Sequence, residues 1–396
     1  MTTFPQRLDA FIQPYVPQVC PSLAIVIYHR GVKVADAAWG WLDPDTHLNA
    51  AAPHLLFDFA SLTKLFTATA FFSLMTDGRA TLDTPLVAVL PEFGALAPRM
   101  IDGGQDPHSK QHLPTPAERL GQSVDPARVT FFHLLTHSAG LPAWRDVFNA
   151  AGAAPLPPNT TDPISQAERW ARALQALCGY PFVAQPGEAV LYSDIGLMLL
   201  GEAVARLHGS DLAATIAARV LKPLGLDDTL FNPVRAGIPL DRIAPTEDDP
   251  TWRKRRVWGE VHDENACGVG GAAGHAGLFG TARDVGVFAQ AWLAKGLPHI
   301  DMELMQQAVR QHVETQGERR GLGWMIRSLQ GSSAGDLYST NAYGHTGFVG
   351  NSVWIDPEQE LVTVCLSNNV YWGRAKEGIT AFRRALHDFV WRECCG

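Results

Sequence analysis

The chain has 396 residues, 46% hydrophobic and only 18% charged, which supplies enough apolar side chains for a large core and excludes disorder as its general state. Lysine and arginine total 32 against 40 acidic residues, a formal charge of −8. A surface built for nucleic acid or an anionic membrane needs the opposite balance, so neither is expected as a partner.

The six cysteines, Cys20, Cys178, Cys267, Cys365, Cys394 and Cys395, form no Cys-x-x-Cys pair and do not read as a disulfide framework. The segment Met1 to Arg7 leads into an amphipathic stretch and not an apolar leader. No apolar run reaches the roughly 18 residues of a membrane span, so a cytoplasmic location is expected.

In chain order, residues 5–17 have helical spacing, with Leu8, Phe11, Ile12 and Tyr15 on one face. Strands are predicted over Ser22 to Tyr28 and Val32 to Gly40, joined at His29-Arg30-Gly31, and a short one over Leu55 to Phe59. A buried helix is predicted from Ser61 to Thr76. From about 85 to 270 the recognisable elements are helices, at 130–136, 165–177, 193–208 and 211–221, with Pro/Gly-rich surface loops at 94–128 and 149–163. Strands return at Gly323 to Ser328, Ser352 to Ile355 and Leu361 to Leu366, and a helix from about 375 to 392 follows. Strands at both ends and helices between imply a discontinuous α/β sheet domain (1–84 and 271–396) with a mainly helical insert (85–270).

Three segments can carry chemistry. In Ser61-Leu62-Thr63-Lys64 a helix would put residues i and i+3 on one face, with Lys64 beside the Ser61 hydroxyl. Burial and the positive end of the helix dipole are expected to favour a neutral Lys64 amine, as a base requires. In Tyr192-Ser193-Asp194 the tyrosine can reach a cleft and exchange a proton, or it can simply pack while Ser193 or Asp194 caps a helix. Gly344-His345-Thr346-Gly347-Phe348-Val349-Gly350 has the glycines that a close backbone approach to a ligand needs, though a plain hairpin would also use them.

Other patterns are weaker. Gly331-Ser332-Ser333-Ala334-Gly335 fits a G-x-S-x-G elbow, but no helical periodicity follows it, so a flexible loop is expected. His108 and His112 are four apart in a Pro/Gly-rich loop, and no dense His/Cys cluster exists, so no metal is expected. No glycine-rich nucleotide loop is present, and no cofactor is implied.

Taken in order, Ser61-x-x-Lys64, Tyr192-Ser193-Asp194 and His345-Thr346-Gly347 resemble the three boxes of the penicillin-recognising serine hydrolases. The closest resemblance is to the class C β-lactamase-like branch, with its D-alanyl-D-alanine carboxypeptidases and family VIII esterases. Phe59-Ala60-Ser61-Leu62-Thr63-Lys64, Leu134-Leu135-Thr136-His137-Ser138-Ala139-Gly140-Leu141, Pro186-Gly187 and Gly274-His275-Ala276-Gly277-Leu278-Phe279-Gly280-Thr281-Ala282 fit the same branch, and the likeness spans roughly residues 10–392.

The resemblance implies an α/β fold, an antiparallel sheet flanked by helices with an inserted helical domain and a cleft between. It implies that Ser61 is the nucleophile of an acyl-enzyme, that Lys64 and Tyr192 move its proton, and that His345, Thr346 and Gly347 form the third box. The backbone N–H groups of Ser61 and Phe348 would form the oxyanion hole. Two departures restrict the substrate. Asp194 stands where an asparagine is usual and can only accept when ionised, and His345 replaces a fixed lysine cation. Efficient β-lactam hydrolysis is therefore not expected, and esterase, aminopeptidase-like or muropeptide amidase activity gains weight.

Gly259-Glu260-Val261-His262-Asp263-Glu264-Asn265-Ala266 resembles members that trim or recycle muropeptides; there His262, Asp263 and His275 would line the cleft or satisfy a loop's own backbone. The reading is a serine hydrolase of a small ester or amide. The alternatives are a non-hydrolytic binding or sensor protein, a true β-lactamase, or a hydrolase using Ser333. Oligomeric state stays open.

Overall fold

The computed structural model describes residues 2–375 and 377–396. Its centre is an eight-stranded antiparallel sheet drawn from both ends of the chain. The strands are β1 (Ser22–His29), β2 (Val32–Gly40), β3 (Val313–Thr315), β4 (Glu318–Arg320), β5 (Met325–Ile326), β6 (Tyr343–Thr346), β7 (Ser352–Asp356) and β8 (Leu361–Ser367). Their spatial order is β3-β4-β5-β6-β7-β8-β1-β2. β1 is therefore an interior strand next to the edge strand β2, with Val26 opposite Asp36 on one side and Val364 on the other.

Both faces of β1 are covered, which explains its unbroken apolar run. Leu23, Ile25 and Ile27 face α1 (Phe4–Ile12) and the C-terminal helix through Leu8, Ile12, Phe382, Leu386 and Val390. Ala24 and Val26 join the larger core on the other side. There α2 (Thr63–Thr76), α3 (Gln166–Gly179), α4 (Asp194–His208) and α5 (Ala282–Ala294) lie in chain order before the last helix, α6 (Ile379–Cys395). α2 meets α5 through Phe66 stacked on Phe288 at 4.2 Å, and α1 meets α6 through Phe11 stacked on Phe389 at 4.4 Å.

Several predicted elements are shorter than their patterns. The first helix ends at Ile12 and continues as a 3₁₀ turn, Gln13–Tyr15, because Pro14 and Pro17 cannot extend an α-helix. The 55–59 strand reduces to Phe57–Asp58, and the 323–328 strand to Met325–Ile326. The 211–221 helix is α only over Leu212–Ile216; a π turn, Ala217–Leu221, follows just before Pro223. The loop at 94–128 holds a small ladder, Arg99–Met100 with Ser123–Val124. The last helix starts at Ile379 and not near 375; Lys376, within its predicted start, lies outside the described residues. Among the described residues no helix is long and apolar enough to cross a membrane.

Candidate active site

Ser61 sits at a sharp corner. Phe57–Asp58 pairs with Leu278–Gly280, and the chain then turns through Ala60 at φ 46° into a 3₁₀ turn, Ala60–Leu62, that feeds α2. The buried Asp58 carboxylate holds the corner, accepting from the Ala60 N–H at 2.8 Å and the His262 N–H at 2.6 Å. Thr63 Oγ1 accepts from the Leu278 N–H at 3.2 Å. Ser61 is left half-buried while Lys64, one turn on, is 1% exposed.

Lys64 Nζ donates to Ser61 Oγ at 2.8 Å and to the His275 carbonyl at 3.1 Å, and it lies 2.8 Å from Asp194 Oδ1. The expectation of a neutral amine is overturned here. Burial pulls the Lys64 pKa down, but Asp194 and the Tyr192 hydroxyl outweigh it and hold the group above its ordinary value. The ammonium is the resting form, and the Asp194 carboxylate is the reason.

Tyr192 precedes α4, and the residue after it caps that helix. Ser193 caps the helix, accepting from the Gly196 N–H at 3.0 Å while donating to the Pro142 carbonyl at 2.7 Å. That cap sets Tyr192 with its ring centroid 4.9 Å from Lys64 Nζ and 6.0 Å from the His345 ring. Two residues to which the sequence assigned no role lock the tyrosine. The His137 ring lies 4.7 Å away, its Nδ1 accepting from the Ser193 N–H, and the Arg320 guanidinium lies 5.3 Å from the Tyr192 ring centroid. His137 at φ 56° and Gly140 at φ 71° bound the turn that places this ring.

The third box lies on β6, paired in register with β7, His345 opposite Val353. His345 is 1% exposed, and burial, then the charges of Lys64 and Arg320, push its pKa down to about 3. Its Nδ1 lies 2.7 Å from the Thr346 carbonyl, which can only accept, so Nδ1 carries the proton. Nε2 is then a buried lone pair with no protein donor among the described residues. His345 is a neutral acceptor and not a cation.

Phe348 follows in the loop after β6. Its ring stacks on His262 at 5.5 Å, with the Arg374 guanidinium 5.9 Å away. His262 is buried, its Nε2 3.1 Å from Glu247, which Arg374 also grips. Burial raises the Glu247 pKa, but His262 and Arg374 more than reverse this and hold it far below the usual range. His262 thus backs the Phe348 ring. His275 is 1% exposed, its Nε2 2.8 Å from Asp263 Oδ1, and its backbone carbonyl is what meets Lys64.

Asp194, Asp263 and His275 offer ligand atoms within 4.8 Å of one another and are the residues that could hold a cation. Lys64 already places an ammonium against Asp194. His112 is occupied by Arg145 at 3.2 Å, and Ser333 accepts from Trp354 Nε1 at 3.2 Å from within a loop.

Comparison with known proteins converges on one family. The sequence profile described as "Beta-lactamase" matches residues 8–387. A Salmonella agona protein provisionally named a D-alanyl-D-alanine carboxypeptidase is 29% identical over 386 residues, covering 91% of this chain and 82% of its own. The octameric penicillin-binding protein homologue of Pyrococcus abyssi superposes with a TM-score of 0.68 at 20% identity, over 98% of this chain and 78% of its own. EstCE1, described as a hydrolase with promiscuous acyltransferase activity, gives 0.71 at 18% identity, over 97% and 98%. At those identities the two structures speak to the fold.

Proposed function

Because the chain belongs to the β-lactamase family, we propose that it is a serine hydrolase that cleaves a small ester or amide through a covalent acyl-enzyme on Ser61. The observation that carries this reading is the line of polar atoms Ser61 Oγ, Lys64 Nζ and Asp194 Oδ1, each 2.8 Å from the next. As Ser61 Oγ attacks the substrate carbonyl, its proton passes to Lys64 while a Lys64 proton moves to the Asp194 carboxylate. Total charge is conserved, and no isolated charge is left buried. Tyr192, beside the same ammonium, hands the leaving group its proton and takes it back from the deacylating water. The N–H groups of Ser61 and Phe348 hold the oxyanion, each such donor worth roughly 3 kcal/mol of transition-state stabilisation.

The polar groups around Ser61 favour a substrate other than a β-lactam. Asp194 accepts and cannot donate to an acyl-amide carbonyl, and neutral His345 gives a drug carboxylate no cation. Thr346 at the end of β6 and Gly347 just after it, with Asp194, would orient the substrate. A peptide-like or muropeptide amide, or a simple ester, meets these conditions. The test is turnover of p-nitrophenyl butyrate by wild type and Ser61→Ala, with intact mass after a fluorophosphonate. Turnover and a one-to-one adduct, both absent in Ser61→Ala, are expected; turnover that survives the substitution refutes the nucleophile.

A further inference from the structure

The loop after β6 is gripped from the C-terminal helix. Arg383 of α6 donates through a terminal nitrogen to the Gly347 carbonyl at 2.7 Å and through Nε to the Gly350 carbonyl at 3.3 Å. The same loop is tied to the nucleophile's strand: the Gly347 N–H donates to the Asn351 carbonyl at 2.9 Å, and Asn351 Nδ2 donates to the Asp58 carbonyl at 2.8 Å. Among the described residues no carboxylate pairs with Arg383. The half-buried Arg383 guanidinium spends its donors on two loop carbonyls instead. Burial lowers its pKa to about 10, so it is charged at neutral pH.

We propose that Arg383 is a positioning residue for the oxyanion hole, acting through the peptide that joins Gly347 to Phe348. This rests on the acyl-enzyme reading above. The Gly347 carbonyl and the Phe348 N–H belong to one planar trans peptide and point in opposite directions. A charged donor on the oxygen therefore fixes the plane in which the N–H is aimed. It also draws electron density toward that oxygen, which makes the N–H a stronger donor to the negative charge of the tetrahedral intermediate. The second contact, at Gly350, pins the far end of the loop, so the peptide cannot rotate about its flanking bonds. A guanidinium does both with one rigid fork; an ammonium reaches one carbonyl at a time.

The experiment measures kcat and KM for p-nitrophenyl butyrate, and inhibition by an alkyl boronic acid that forms a tetrahedral adduct, in wild type, Arg383→Lys, Arg383→Gln and Ser61→Ala. In Arg383→Gln kcat is expected to fall roughly 10- to 100-fold, less than the 10²–10³ of losing a donor outright. KM should change little, the boronate should weaken in step with kcat, and Arg383→Lys should recover part of both. A folded Arg383→Gln with wild-type kcat, or one whose loss lies wholly in KM, overturns the inference. If Arg383→Gln does not fold by circular dichroism, Arg383→Lys decides: reduced kcat with weakened boronate supports the role, and wild-type values refute it. Turnover persisting in Ser61→Ala would instead overturn the acyl-enzyme reading itself.

Discussion

Lys64 and Asp194 form a pair in which the carboxylate explains the charge on the lysine. A lysine this deeply buried would shed its proton without a counter-ion, and an asparagine at 194 would not supply one. Asp194→Asn should therefore lower the Lys64 pKa and remove the terminal proton acceptor of the Ser61 line. General acid–base groups contribute roughly 10²–10⁴ in rate, and a fall of about 10² in kcat is expected across pH 6–9. An unchanged or faster kcat would show that neutral Lys64 acts alone. The Ser61–Lys64 contact was legible because i and i+3 must meet on a helix. The charge on Lys64 was not, since Asp194 reaches it from 130 positions away and no local pattern encodes that approach. Tyr192 was legible as a corner residue; the His137 and Arg320 that hold it come from other elements.

Between elements, the site depends on how closely α4 approaches the segment that carries His275. Gly201 is buried in the middle of α4 despite a helix penalty of about 1 kcal/mol relative to alanine. A Cβ there would lie 2.8 Å from Gly274 Cα, and one on Gly274 would collide with the Leu197 carbonyl. The contact sets the His275 carbonyl on Lys64. Gly274→Ala should cost about 1–3 kcal/mol of overpacking and move that carbonyl away, lowering both the melting temperature and kcat; a variant that loses neither would show that the segment yields freely. The long elements α4 and α6 were readable because they repeat their apolar positions over three or more turns, whereas α5 was not among the expected helices. The strands at 55–59 and 323–328 were readable in place but not in extent: Phe57–Asp58 and Met325–Ile326 are too short to show a period, and tertiary pairing sets their ends.

Across the whole molecule, buried histidines set the response to acid. His345 and His387 are pushed down to about 3 and His137 well below its usual value, each by burial first and nearby cations second. These groups stay neutral in the fold, whereas the unfolded chain takes up protons as pH drops below about 6.5. The unfolded state then binds more protons, so stability falls from pH 6.5 toward 3, by up to about 1.4 kcal/mol per pH unit for each histidine. His387 lies between Ser352 Oγ at 3.2 Å and the Tyr338 hydroxyl at 3.4 Å, away from Ser61. His387→Gln should flatten the slope of urea stability between pH 7 and 5 by about that amount; an unchanged slope would assign the acid response elsewhere.

The place of β1 between β2 and β8 has a consequence during translation. It leaves the ribosome with β2 as a hairpin, yet its other neighbour, β8, is complete only at Ser367. At roughly 5–20 residues per second that interval is on the order of 15–65 s, during which the apolar strand from Leu23 to Ile27 has one open edge. A premature stop codon after Glu360 would therefore remove more than a C-terminal tail: it would strand the first β-strand made without the last one on which it depends.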